Sequence, residues 1–542
     1  MLDLTQWTLE QKIGQLFICG FQSLAPDEQI TTLTGKYHVG GVVYFRRNIE
    51  SVQQLAALSR DLQKLPRSHS DIPLFISIDQ EGGMVARLDH DGISRIPGNM
   101  TLGAVDDLRL TYNVAKLAAE EMLALGINMN FAPCVDVNNN PSNPVIGVRS
   151  FGENPQKVAE HGVAATRGYQ DQGVSATVKH FPGHGDTAVD THLGLAVVPH
   201  DKERLRNIEL LPFRRAIEAG ADAIMTAHVI FPAFEPEEIP ATLSHRVLTE
   251  LLREEMNFEG VIVTDCLEMH AISKSCGVAE GAVRAIEAGA DLILVSHTLT
   301  DQVAALEAVR EAVLSGRISE DRINESLERV LELKAKRIAA AADAEVETNR
   351  LSVSVPLTPQ AESEALLREA AERSVTLVHD SGNLPLSKDE STLVIWPELR
   401  HRTEVDEPSV HQYTLYNALQ PYSNNISLSV IGTRPEEEEV LEVLKRSTDF
   451  EQIVVVTYTA EGEIPEGQSH LVNALIRMHG SKVVVVSTRN PYDLKSFKDV
   501  GTYICLYENR QFSLDAVAKV LMGKLTAKGK LPVSLNLDEV TK

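Results

Sequence analysis

From the start of the chain to about residue 335, short and nearly unbroken apolar runs alternate with stretches whose apolar residues recur at helical spacing. The runs are Leu16–Phe21, Gly41–Phe45, Leu74–Asp79, Asn128–Asp136, Ser175–His180, Ala223–His228, Val261–Asp265 and Asp291–His297. A strand that is apolar along its whole length is buried on both faces, as parallel strands covered by helices are. A helix-like segment follows each of the first seven runs, and Thr300–Ser315 follows the eighth. Eight such units in succession predict an α/β fold that begins with a TIM-type (β/α)8 barrel.

The pattern changes after that. Lys334–Glu347 is rich in Ala and Lys and reads as a helix running out into a linker. Thr348-Asn349-Arg350 and Val355-Pro356 then mark the crossing to a second domain. A helix is expected around Ala361–Arg373, followed by apolar runs at Ser374–Val378, Leu393–Trp396, Ser427–Ile431, Ile453–Tyr458, Val483–Ser487 and Tyr503–Leu506. Helical stretches separate several of these, so the second half is predicted as an open sheet sandwiched by helices. The expected division is a catalytic barrel over residues 1–340, a linker over 341–356 and an α/β sandwich over 357–542.

Asp79, Asp136, His180, His228, Asp265 and His297 each fall at or near the C-terminal end of a predicted barrel strand. Barrels of this kind build their active sites on that rim. The densest chemistry is the run Lys179-His180-Phe181-Pro182-Gly183-His184-Gly185-Asp186-Thr187-Ala188-Val189-Asp190-Thr191-His192. Pro182, Gly183 and Gly185 exclude a helix there, so its ionisable groups sit on a loop.

This run resembles the signature of the family 3 glycoside hydrolases in their β-N-acetylglucosaminidase branch, K-H-F-P-G-H-G-x4-D-x-H. The resemblance spans the first domain and extends loosely to the second, through Ser374–Val378 and Gly529–Pro532. It implies a retaining exo-acting enzyme that removes terminal N-acetylglucosamine from cell-wall fragments or chitin oligosaccharides. Gly260–Asp265 matches the family's G-V-x-x-x-D pattern, which makes Asp265 the expected nucleophile. A retaining glycosidase needs a carboxylate there to form its glycosyl intermediate. The bland alternative is a helix cap. The resemblance points to His192 as general acid and base, with Asp190 as the carboxylate that orients its ring and supports its basicity. Lys179, His180, Asp79, Arg87 and Arg149 match sugar-binding positions. Arg87 and Arg149 read equally well as ion-pair partners of rim carboxylates. His184 and Asp186 are expected to hold the loop. Residues His228 and His297 either line the pocket or satisfy backbone carbonyls, and Asp136 could orient a neighbouring arginine. Glu81 is the next carboxyl to consider if the acid is not His192.

Composition narrows the partners. With 51 basic and 76 acidic residues the formal net charge is −25, which repels nucleic acid and anionic membranes and favours solubility. Five scattered cysteines without C-x-x-C spacing argue against a disulfide framework or a zinc site. Met1–Thr5 shows neither a basic nor an apolar signal segment, and no apolar stretch spans a bilayer, so a cytoplasmic location is expected. No cofactor and no metal are expected. The Leu16–Phe21 run lacks a His-x-His pair, and Pro182 and Gly183 deny His180 and His184 helical ligand spacing. A non-catalytic sugar binder would not be expected to retain Asp190, His192 and Asp265. No G-x-G-x-x-G follows an early strand. A phosphorylase of the same family, which resolves the intermediate with phosphate, and a metal-dependent barrel hydrolase remain as alternatives. The expected partner is an oligosaccharide, and the oligomeric state stays open.

Overall fold

Eight short parallel strands form the wall of a barrel: β1 (Phe17–Cys19), β2 (Gly41–Tyr44), β3 (Phe75–Ile78), β4 (Met129–Asn130), β5 (Ser175–Phe181), β6 (Ala223–Thr226), β7 (Val261–Val263) and β8 (Ile293–Val295). This computed structural model describes residues 6–66, 72–189, 194–339, 361–399, 413–460, 462–497 and 499–535. The strands pair in the order β7-β6-β5-β4-β3-β2-β1-β8, and a parallel bridge from Val263 to Leu292 joins the two ends. All eight are buried throughout, as the mainly apolar character of their runs predicts.

Apart from β5, the strands are shorter than their apolar runs, and after β4 a side chain takes over ladder hydrogen bonds near the rim. The Asn128–Asp136 run keeps only Met129–Asn130 as strand, with Cys134 returning as a single bridge to Lys179. Pro133, which has no N–H, interrupts the run between them. The Asn130 amide copies a ladder rung, accepting from Gln80 N and donating to Gln80 O, both at 3.0 Å. Polar side chains that leave the strand ends are thereby delivered to the rim.

The second domain carries β9 (Thr376–Asp380), β10 (Thr392–Glu398), β11 (Ile426–Gly432), β12 (Gln452–Thr457), β13 (Val483–Ser487) and β14 (Thr502–Cys505). Their order is β9-β14-β13-β12-β10-β11, with β9 antiparallel and all other pairs parallel. Alternate residues feed two separate cores. Val483 and Val485 pack with Leu471 and Leu475 of helix Glu466–His479. Val484 and Val486 pack with Leu514 and Val517 of helix Gln511–Leu521 on the other face. The predicted sandwich is therefore the observed one. Helix Ala361–Ser374 lies between the domains, with Leu367 and Ala370 in the barrel's core cluster and Ala371 in one of the sheet's. The expected linker 341–356 lies outside the described residues.

Candidate active site

A cavity of about 460 Å³ opens at the C-terminal ends of the barrel strands. Asp79, Arg87, Arg149, Lys179, His180 and Asp265 all line it, so six of the eight residues expected to act on substrate meet in one place. The other two, Asp190 and His192, lie outside the described residues.

Each wall residue follows from its element. Asp79 is the residue after β3. The chain then folds back as a short hairpin, Gln80–Gly82 against Val85–Ala86, which carries Glu81 and leads into Arg87. The loop after β4 holds Asp136 and a helical turn, Gly147–Arg149. Lys179 and His180 belong to the last residues of β5, and Asp265 stands two residues beyond β7.

Charges in the cavity pair across these elements. Lys179 Nζ lies 2.7 Å from Asp79 and 2.7 Å from Glu81. Arg149 grips Glu81 with two prongs, Nε to Oε2 at 3.0 Å and Nη2 to Oε1 at 2.8 Å. Arg149 Nη2 also reaches His180 Nε2 at 3.3 Å, and Arg87 stands 3.7 Å from Asp79. Burial by itself would raise the Glu81 carboxyl, but the Arg149 guanidinium and the Lys179 ammonium hold it well below the usual carboxylate range. Lys179 is raised in return: Asp79 and Glu81 outweigh the cost of burying its charge.

Two sequence readings change here. Glu81 is not available as a general acid, because two cations keep it ionised. Asp136 orients a histidine rather than an arginine: its Oδ2 lies 2.7 Å from His180 Nδ1, and its Oδ1 accepts the His184 backbone N–H at 2.6 Å. Burial opposes that charge, yet His180 and His184 bring the Asp136 carboxyl down to about 2. An arginine can only donate, so His180 Nε2 is the acceptor toward Arg149 and the ring proton sits on Nδ1, facing Asp136. For Arg87 and Arg149 the two readings prove compatible, since both residues are ion-paired and both line the cavity.

The loop beyond β5 is held by several side chains, and His184, expected only to hold the loop, also lines the cavity. A Cβ on Gly185 would lie 1.8 Å from the Val137 carbonyl oxygen, so only glycine fits there. Asn143 donates to the carbonyls of His184 and Gly185 at 2.9 and 3.0 Å. Burial and His180 push His184 down to about 4, and its Nδ1 meets the Thr187 hydroxyl at 2.8 Å. Asp186 binds His200 and, at 2.8 Å, Arg204. His228 is fully buried and bridges the Thr242 hydroxyl and the Cys266 carbonyl at 2.8 and 2.9 Å, whereas His297 lines the cavity. Asp265 is half-buried, and its Oδ1 accepts the Cys266 N–H at 2.7 Å.

Sequence reading missed Glu268 and Phe45. Glu268 lines the cavity and takes the N–H groups of Ser296, His297 and Thr298 at 2.7, 2.7 and 2.9 Å. Its place three residues after Asp265, on the turn that leaves the same strand, is a signal that could have found it. Phe45 closes another side, with Arg47 over its ring at 4.3 Å. Among the described residues three groups bring metal-ligand atoms together: Cys134-Asp136-His180, Cys266-Glu268-His297 and Asp186-His200-Glu209. The carboxylates of Asp136, Glu268 and Asp186 are each engaged by the protein donors already named.

Residues 8–333 match the glycosyl hydrolase family 3 N-terminal domain, and residues 374–541 match the family's C-terminal domain. The chain belongs to glycosyl hydrolase family 3. This family 3 chain is 48% identical to a β-N-acetylglucosaminidase from Paenibacillus sp. str. FPU-7, with a TM-score of 0.93 over 98% of this chain and 99% of that one. β-Hexosaminidase A of Pseudoalteromonas piscicida is 30% identical over 94% of this chain and 91% of its own length. A β-hexosaminidase of Stenotrophomonas maltophilia (strain K279a) is 41% identical over 50% of this chain and 80% of its own. Among the described residues of this family 3 hydrolase, no helix is long and apolar enough to cross a membrane.

Proposed function

We propose that the chain is a retaining exo-β-N-acetylglucosaminidase acting on terminal N-acetylglucosamine of cell-wall fragments or chitin oligosaccharides, and that it works in the cytoplasm. The observation that carries this reading is the cavity itself. Asp265 shares it with a paired set of cations and carboxylates, and its volume is within the range of small-molecule sites. Paired charges present fixed donors and acceptors to a ring of hydroxyls without leaving an isolated charge in a partly dry site. The resemblance to the Paenibacillus enzyme supports the choice of sugar. We further take residues 1–340 as the catalytic domain, 341–356 as the linker and 357–542 as the second domain.

In the reaction we assign to the site, Asp79, Arg87, Arg149, Lys179 and His180 bind the sugar. The Asp265 carboxylate attacks the anomeric carbon, and the bond from that carbon to the leaving oxygen breaks. His192, oriented by Asp190, gives its proton to that oxygen. In the second step His192 takes a proton from water, the hydroxyl bonds to the anomeric carbon, and Asp265 is released as a carboxylate. Configuration is inverted twice and so retained.

A chromogenic N-acetylglucosaminide, incubated with and without inorganic phosphate, tests the reading. Release of free N-acetylglucosamine at equal rates, first as the β anomer by NMR, is expected. Formation of the sugar 1-phosphate would move the enzyme to the phosphorylases. No turnover in either condition would overturn the assignment.

A further inference from the structure

The segment after β14 leaves the second domain and reaches the barrel. Glu508 is buried, and its Oε2 accepts the backbone N–H of Gly98 at 2.9 Å while Oε1 takes the Ser513 hydroxyl at 2.7 Å. Two residues on, Arg510 donates to the carbonyl oxygen of Gly83 through both Nε, at 3.0 Å, and Nη2. Its Nη1 reaches Asp89 at 3.3 Å.

The two glycines held in this way form a single node. Gly83 donates to the Ile96 carbonyl at 2.9 Å, and a Cβ on Gly83 would come within 2.7 Å of Gly98 Cα. Gly83 also has φ +56, so the turn is closed to other residues on two counts. From this node the chain runs straight into the sugar cavity. The Gln80–Gly82 strand before Gly83 carries Glu81, and the Val85–Ala86 strand after it leads to Arg87. Asn99, next to Gly98, donates from its side chain to the Arg149 carbonyl at 2.7 Å. Glu81, Arg87 and Arg149 all line the cavity, whereas Glu508 and Arg510 line a separate space of about 240 Å³ between the domains.

A hairpin of two- and three-residue strands has little stability of its own. It nevertheless carries a carboxylate that must meet Arg149 and Lys179 at hydrogen-bond distance. We propose that Glu508 and Arg510 are positioning residues: the second domain, without touching substrate, pins the Gly83–Gly98 node and thereby sets the geometry of Glu81, Arg87 and Arg149. This rests on the reading of the cavity as an N-acetylglucosamine site.

The test uses the full-length chain with Arg510→Met, Arg510→Lys and a control, Arg373→Ala. The control removes a different contact between the domains, Arg373 to Asp107 at 3.0 Å, and neither of these residues lines the cavity. KM for an aryl N-acetylglucosaminide, the inhibition constant of free N-acetylglucosamine and the unfolding temperature are measured for each. Arg510→Met should raise KM and the inhibition constant together by about tenfold, because misplaced binding groups weaken sugar binding in the ground state. Arg510→Lys, which keeps the charge but loses the fork, should fall between. Arg373→Ala should lower the unfolding temperature while leaving both constants unchanged. The proposal is overturned if Arg510→Lys, or a folded Arg510→Met, binds as the unaltered protein does, or if Arg373→Ala weakens binding equally. Should Arg510→Met not fold, Arg510→Lys decides alone. An unaltered protein inactive on the aryl substrate would instead overturn the reading of the cavity, and this proposal with it.

Discussion

Arg149 and Glu81 meet as a two-pronged ion pair inside the barrel mouth, with only 6% and 2% of their side chains exposed. Lys179 shares the same carboxylate at 2.7 Å, so one anion serves two buried cations. Removing one member of a buried pair leaves the other's charge uncompensated and typically costs about 3–5 kcal/mol. Glu81→Gln should therefore lower stability by several kcal/mol in urea unfolding, as well as impair binding. Arg149→Lys keeps the charge but loses the fork. It should be milder in stability and still raise KM, by about tenfold or more. A Glu81→Gln protein as stable as the unaltered one would show that the two cations do not depend on this carboxylate for their burial.

Asp265 carries the covalent step in the mechanism proposed above. Asp265→Asn should lose about 10³-fold or more in turnover while folding normally, since the amide retains the shape but not the nucleophile. A fluorinated sugar that forms a stable glycosyl-enzyme should label Asp265, read by peptide mass spectrometry. A label on Glu268 or Asp79 would sink the assignment.

The dyad makes a different prediction, because a general acid matters in proportion to the basicity of the leaving group. A nitrophenolate leaves with little help, whereas a sugar alkoxide needs the proton. His192→Ala should hurt a natural disaccharide far more than an aryl glycoside, and it should flatten the basic limb of the pH–rate profile. Asp190→Ala should give a milder version of both effects. Equal losses on both substrates, with deglycosylation shown not to limit either, would place the acid elsewhere. Glu81 would not be the candidate, because its neighbours keep it ionised.

In the second domain, burial raises the Asp493 carboxyl to about 6, against the pull of the Thr459 and Thr457 hydroxyls that donate to it at 2.6 and 2.7 Å. Its folded pKa thus lies above the unfolded one. The native state keeps the proton in a window where the unfolded chain has lost it, so the contribution of this one group to stability is fully present below about pH 4 and is lost as the pH rises through about 6. Asp493→Asn removes this dependence and keeps a partner for the hydroxyls. It should stabilise the protein above pH 6, by an amount of order 2–3 kcal/mol, and leave it nearly unchanged at pH 4. Calorimetry at the two pH values checks this, and equal unfolding temperatures for variant and unaltered protein at pH 8 would refute it.

Whatever depends on local periodicity is legible in the sequence. Val483–Ser487 is a strand at the bounds its apolar run predicts, because a residue's burial on both faces of a sheet is encoded in its own hydrophobicity. The position of Asp265 on the rim is readable as well, because it lies just beyond the C-terminal end of an apolar strand. The chain alone determined the barrel, the sandwich and most of the polar residues at the barrel mouth, though not Glu268, and it did not separate the buried His228 from the cavity-lining His297. It did not determine what those residues bind. Arg149 and Glu81 are 68 positions apart, Asp136 and His180 are 44, and Arg510 reaches Gly83 across 427. A charge or a donor carries no record of its partner, since Coulomb attraction and hydrogen bonding act through space and depend on which strand ends become neighbours. Only the closed order of the barrel strands and the docking of the second domain decided that Glu81 would be an ionised anchor, that Asp136 would hold a histidine and that Arg510 would hold a turn.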